Sequence, residues 1–294
     1  MRSPAADVAV VGAGGRTGRW VVAALRERGA VVREVVHRPP GAGEGSVAAE
    51  LRDPRSLEEA FRGCAAVHLI PPLMHPAEDA LVANATAAAS AVGARRFVLH
   101  SVLRPGTPQL PHHLRKARSE AVVHDCALDW TILQPGTYAQ NFSGRVIVRD
   151  GAGVLATPYS PRSPLSPTDL RDIAEVAALV HAQPGHGHAS YELVGPQALT
   201  HLEMAELLSD VHGIAVSVDV VPLERALAPG LTLGQRADYT AMFAHYDEHG
   251  FVGSPTVLAA LLGRAPTTFA AAAARDLAAA PAAIPNPTRQ EPRA

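Results

Sequence analysis

The stretch Val10-Val11-Gly12-Ala13-Gly14-Gly15-Arg16-Thr17-Gly18 joins a short apolar run, Asp7 to Val11, to a run from Arg19 to Arg28. The second run carries Trp20, Val21, Ala24 and Leu25 at helical spacing and ends at Gly29. A buried strand therefore turns sharply into a helix within a few residues. Such a turn needs backbone angles that glycine permits. It also brings main-chain N–H groups and the positive end of a helix dipole to one place, where a pyrophosphate can sit. A glycine triplet alone is weak evidence, but strand before and helix after is the context that gives it meaning. Gly12, Gly14, Gly15, Arg16, Thr17 and Gly18 are thus expected to bind a dinucleotide.

The next strand, Val31 to Val36, adds a second signal. Folds that bind NAD place Asp or Glu near its end to hold the ribose hydroxyls. This chain has Arg38 there, 20 residues after Gly18. A carboxylate would repel a 2′-phosphate, whereas a guanidinium pairs with it. The expected cofactor is NADP(H), with Arg16 also able to reach the phosphate.

Strands and helices alternate onward from this corner. Helical runs are read over Leu57–Phe61, Ala77–Val92 and His113–Val123, and strands over Ala66–Ile70, Phe97–Leu99 and Trp130–Leu133. That order predicts an α/β fold, a Rossmann-type doubly wound parallel sheet, with ligands beyond the carboxyl ends of its strands. After about residue 140 the order loosens. Helices are read over Asp172–His181, Thr200–His212, Val257–Leu262 and Thr267–Leu277, and strands over Ser190–Val194 and Val216–Val221. The expected organisation is a dinucleotide-binding unit over 1–150, a small C-terminal α/β lobe over 151–280 interwoven with it, and a Pro-rich disordered tail over 281–294.

Bulk composition narrows the classes. The chain has 294 residues, a formal net charge of -2 and ordinary hydrophobic content, 47%. It carries no basic stripe and no helix-turn-helix pattern, so direct nucleic-acid binding is not expected. Lys116 is the only lysine, and every other basic residue besides histidine is arginine, a bias of GC-rich bacterial genomes. Cys64 and Cys126 make neither a zinc framework nor a disulfide scaffold and read as small buried hydrophobes. His186-Gly187-His188 lacks a third ligand and reads as an exposed turn, so no metal is expected. No leader pattern precedes the first strand and no apolar run reaches membrane-spanning length, so a cytoplasmic monomer or homodimer without membrane contact is expected.

Together these residues resemble the NmrA-like branch of the atypical short-chain dehydrogenases/reductases, over nearly the whole chain to about residue 280. The marks are Val11 to Gly18, Leu51 to Leu57, Ser101, Lys116, Asp129 to Gly136, Gln140-Asn141-Phe142, Asp172 to Val176, Tyr191 to Pro196 and Leu262 to Pro266. The resemblance implies an extended Rossmann fold and an activity drawn from NADPH-dependent quinone and dye reductases, with redox-sensing regulators as the non-catalytic branch. It places Leu51, Pro71, Pro135 and Gly136 along the cofactor, and Tyr138, Asn141 and Phe142 over the substrate. Gln134 stands where many relatives carry arginine.

The general reductase pattern Tyr-x-x-x-Lys is broken here, because His112 stands four residues before Lys116. Lys116 is the first candidate for catalysis, as a holder of the nicotinamide ribose or as a proton donor. Ser101 is a candidate hydrogen-bond donor to a substrate carbonyl. His112 is a candidate proton donor with a pKa near working pH, or a surface histidine. The expected function is an NADPH-dependent reduction of a small electron-poor acceptor such as a quinone or enone, which needs little acid catalysis. The alternative is a non-catalytic NADP(H)-sensing regulator acting through a protein partner. An epimerase or dehydratase using bound cofactor is a further reading.

Overall fold

The computed structural model describes residues 6–37 and 46–279. Arg38 and the tail over 281–294 lie outside the described residues. In chain order the first half runs β1 (Ala6–Val11), α1 (Arg16–Glu27), β2 (Val32–Val36), β3 (Ser46–Ala48), α2 (Pro54–Phe61), β4 (Cys64–Leu69), α3 (Glu78–Ala91), β5 (Arg96–His100), α4 (Pro111–His124) and β6 (Asp129–Pro135). The second half adds α5 (Gln140–Ser143), β7 (Ile147–Arg149), β8 (Ala152–Thr157), α6 (Leu170–Ala182), β9 (Ala189–Leu193), α7 (His201–His212) and β10 (Val216–Val220). It ends in α8 (Leu223–Ala226), α9 (Leu233–His249), α10 (Thr256–Leu262) and α11 (Phe269–Ala279).

Among the described residues the main sheet has seven strands in the order β3-β2-β1-β4-β5-β6-β9. Every pair in it is parallel. A sheet covered on both faces needs apolar residues at successive positions, and β1 shows the division. Ala9 and Val11 join one core with Leu57, Phe61, Val82, Phe97 and Leu99, under α2, α3 and α4. Val8 and Val10 join the other with Val21, Leu25, Val98, Leu133, Ile173 and Ala177, under α1 and α6. The same alternation in β4 and β5 sends His68 and His100 to the second face, with Ala66 and Val98.

The strand expected at Ser190–Val194 does not stay in the C-terminal lobe. It pairs with β6, matching Leu133 to Tyr191, and closes the main sheet as its seventh strand. A second layer is built from both sides of it in the chain, the small sheet β10-β8-β7, with a third apolar core around Leu155, Met204, Tyr246, Phe251 and Phe269. Asp169 links the layers. It caps α6 at Arg171 N, accepts from Gln140 Nε2 at 2.8 Å and pairs with Arg275 of α11 at 2.5 Å. Helix α9 has no counterpart in the sequence reading. Only Asp238 and Tyr246 of its residues are buried, so it lacks an apolar period, and its start is set by a Thr232–Gln235 capping box. Cys64 is buried as expected, whereas Cys126 is partly exposed.

Candidate functional site

The crevice lies where the carboxyl ends of β1, β4, β5 and β6 meet. Its floor is the glycine corner. Gly12 has φ +82°, and a Cβ there would meet the Ile70 carbonyl oxygen at 2.8 Å. A Cβ on Gly18 would stand 2.1 Å from the Gly12 oxygen, so the helix can begin this close to the strand only without a side chain. Gly15 N donates to Gly12 O at 3.0 Å and closes the turn. Gly14 and Gly15 between them are exposed, and Gly15 caps α1 with no side-chain acceptor for its first N–H groups. The corner is open, donor-rich and unfilled by side chains, which suits a pyrophosphate.

Arg16 leaves this corner toward the opposite wall. Its guanidinium donates to Asn141 Oδ1 at 2.5 Å and lies 5.9 Å from the Tyr138 ring centroid, with Arg145 and Tyr239 within electrostatic reach. Arg16, Tyr138 and Asn141, read separately from the sequence, are thus one contact across the crevice. Phe142, expected beside them, is buried instead. Its ring packs edge-on against His201 and Phe269 in the third core, where an apolar ring gains more from burial than from a wet crevice. Pro71 is buried just beyond β4, and Pro135 ends β6 with its carbonyl held by Leu103 N at 2.9 Å. Leu51 packs against the first core, and its carbonyl accepts from Asn84 Nδ2 at 3.0 Å. Gly136 N donates to Leu193 O at 3.0 Å.

On the α4 face of the sheet stands a polar cluster. Lys116 Nζ pairs with Glu78 Oε1 at 3.0 Å, and both side chains are largely out of water, at 12% and 2% exposure. Ser119 Oγ donates to the same oxygen at 3.2 Å. One turn beyond Lys116, the buried Glu120 accepts both its bonds from Gln134 Nε2 at 2.9 Å. Burial pushes the Glu120 carboxyl above its usual range, opposed by the nearby Ser101 hydroxyl, which makes no hydrogen bond of its own, and by the bonds from Gln134. Ser101, fixed by its N–H to Leu133 O at 2.7 Å, thus has its buried hydroxyl beside this carboxyl. Glu120 was legible, being four residues after Lys116 on the same helical face. Glu78 was not, because it comes from another helix and no local pattern marks it.

His112 does not match its expected titration or position. It sits in the first turn of α4, buried, against His113 at 4.4 Å between ring centroids. Burial pushes its pKa down to about 3, helped by the neighbouring cationic groups. It is a neutral imidazole at neutral pH, and not the surface histidine or near-neutral acid that the sequence suggested. On the other face the sequence reading missed a second polar line. The Tyr138 hydroxyl lies 2.8 Å from His100 Nε2, with the Thr17 side chain near it. His68 and His181 stand behind them. The signal was a histidine at an inward position of each apolar strand. Among the described residues no group of three or more His, Cys, Asp or Glu forms a metal cluster, and no helix is long and apolar enough to cross a membrane.

Comparison with known proteins places these features. The NmrA-like family model matches residues 4–270. The NAD(P)H azoreductase of Xenophilus azovorans is 29% identical over 229 residues, covering 74% of this chain and 78% of the relative. An NADPH-dependent quinone oxidoreductase from Escherichia coli, solved with NADPH, superposes with a TM-score of 0.76 at 23% identity, over 92% of this chain and 99% of that one. A negative transcriptional regulator, NmrA, solved with NAD, superposes with a TM-score of 0.73 at 18% identity, over 92% of this chain and 95% of that one.

Proposed function

The chain belongs to the NmrA-like family, and from that premise we propose that it is an NADPH-dependent reductase acting on a small electron-poor acceptor such as a quinone or enone. The observation that carries the reading is the glycine corner, closed to side chains at Gly12 and Gly18 yet open at Gly14 and Gly15. The main-chain N–H groups at the start of α1 would hold a pyrophosphate. Arg38 would take a 2′-phosphate, and Lys116 would face the nicotinamide ribose. When bound, the nicotinamide supplies a hydride. The protein's part is to orient the acceptor and to exclude water. Ser101, kept close to Glu120, presents a hydroxyl toward an acceptor carbonyl. Glu78 holds the Lys116 ammonium in place. The similarity to a reductase of azo dyes supports an acceptor of the electron-poor kind.

The test is NADPH oxidation against a panel of quinones, enones and dyes, with cofactor affinity measured by calorimetry alongside. Turnover with at least one class is the expected result. Tight binding with silence across the panel selects the regulatory reading, which the fold likeness to the transcriptional regulator favours. Absence of heat with every pyridine nucleotide overturns both.

A further inference from the structure

Two guanidinium groups border the crevice without a carboxylate. Lys116 is neutralised by Glu78, and its neighbour Arg115 by Asp238 of α9. Arg16 has Tyr138, Tyr239 and Arg145 within electrostatic reach, and no acid. Both Arg16 and Arg145 are open to solvent, so a ligand can reach them. Arg16 is held in place without being used up. A guanidinium has five N–H donors, and among the described residues this one gives a hydrogen bond only to Asn141 Oδ1, at 2.5 Å. Arg145 comes to the same side. It stands four residues after Asn141, one helical turn, and its N–H donates to Phe142 O at 3.0 Å, so the turn of α5 runs on to it.

The sheet order tells which end of the crevice this is. A 2′-phosphate belongs at the end of β2, on one side of β1. Tyr138 and Asn141 follow β6, three strands away on the other side. Arg16 therefore points away from the adenosine end and toward the end where an acceptor would meet the nicotinamide. Helix α9 ties this corner to the Lys116 side. Its Asp238 pairs with Arg115, next to Lys116, and the adjacent Tyr239 is within electrostatic reach of Arg145 and Arg16. Lys116 and the two arginines thus border one crevice.

We propose that the acceptor carries an anionic group, a phosphate, sulfonate or carboxylate, and that Arg16 and Arg145 bind it beside the rings of Tyr138 and Tyr239. The proposal rests on the reductase reading above and names its substrate class. Two cations that face each other without a counter-charge repel, and an anion between them removes that cost while taking hydrogen bonds from both forks. Partial burial, with the Arg145 charge nearby, lowers the Arg16 pKa from its ordinary value, and a bound anion would offset both effects. The flanking rings suit a flat acceptor. The anionic group lies outside the reacting ring. A quinone that takes a hydride from the nicotinamide and a proton from water becomes a hydroquinone, and the anionic group is unchanged.

The experiment pairs two acceptors that differ by one charge, a neutral naphthoquinone and the same quinone with a sulfonate on its non-quinone ring. The wild-type protein is expected to favour the sulfonated quinone in kcat/KM, by a margin that shrinks as salt rises from about 0.02 M to about 0.5 M. In Arg145→Glu the ratio of sulfonated to neutral kcat/KM should fall about tenfold or more, and in Arg145→Gln by less. An unchanged ratio overturns the proposal, including the case in which both rates fall together. A second measurement needs no turnover. 2-Naphthalenesulfonate, which takes no hydride, is titrated by calorimetry into protein loaded with NADP. Binding that weakens in Arg145→Glu is expected, and absence of binding overturns the proposal. Binding to the cofactor-free protein alone would assign the arginines to the phosphates of the cofactor and also overturn it. Wild-type protein that reduces neither quinone sinks the reductase reading instead, while the titration still decides the anion site.

Discussion

Lys116 is the only lysine in the chain, and its amine meets a carboxylate that is 2% exposed. Removing one partner of a buried ion pair strands the other charge and costs about 3–5 kcal/mol. Lys116→Met is therefore expected to lower unfolding stability by about that amount as well as to stop turnover. Adding Glu78→Gln should recover most of the stability and none of the turnover, read by urea unfolding and by NADPH oxidation. A single variant as stable as wild type would place the pair in water, contrary to the structure. Arg38 carries a different expectation, drawn from sequence alone. Arg38→Asp should weaken NADP binding far more than NAD binding in calorimetry, and equal losses would remove it from the phosphate. At this scale the sequence could show which residues carry chemistry, but not what neutralises them. The Lys116 partner comes from α3, and the Tyr138 partner from β5.

The first βα corner separates two roles of glycine that look alike in the sequence. Gly18→Ala gains helix propensity of about 1 kcal/mol, but its Cβ would stand 2.1 Å from the Gly12 oxygen. The clash wins, so net destabilisation of about 1–3 kcal/mol, or failure to fold, is expected from denaturant unfolding. Gly14→Ala meets nothing closer than Val36 Cγ1 at 3.5 Å. It should keep its melting temperature and lose dinucleotide affinity, because the new methyl group stands in the open cradle. The reverse pattern, with Gly18→Ala stable and Gly14→Ala fully binding, would refute this division. Elements with a clear local signal were legible: β1, α1 and β4, by their apolar patterns, and α3, by its alanine-rich run closed at Gly93, fall within a few residues of their expected spans. The 17-residue α9 was not, because a helix buried at only two of its residues writes no apolar stripe.

Across the whole molecule the buried histidines tie stability to pH. His68 and His112 are pushed to about 3, and His113 and His201 to about 4, in each case chiefly by burial. The unfolded chain binds protons near the ordinary histidine value of about 6.5, and the folded chain does not. Stability contributed by these neutral rings is full above that value and is lost as pH falls toward the folded values. Each adds a slope of up to about 1.4 kcal/mol per pH unit within that window. Urea midpoints measured from pH 7 to pH 5 should therefore fall steadily, and a flat profile would mean that the rings are solvated.

The sequence by itself determined the alternation of strands and helices, the glycine corner and the family resemblance, because these depend on local backbone geometry and short-range periodicity. Only the tertiary structure decided that the strand near residue 190 closes the main sheet, that Phe142 turns inward, that His112 is neutral, and that Lys116 rests on Glu78. These outcomes depend on which distant groups share a dry environment. Desolvation and pairing act through space, and spacing along the chain does not encode them.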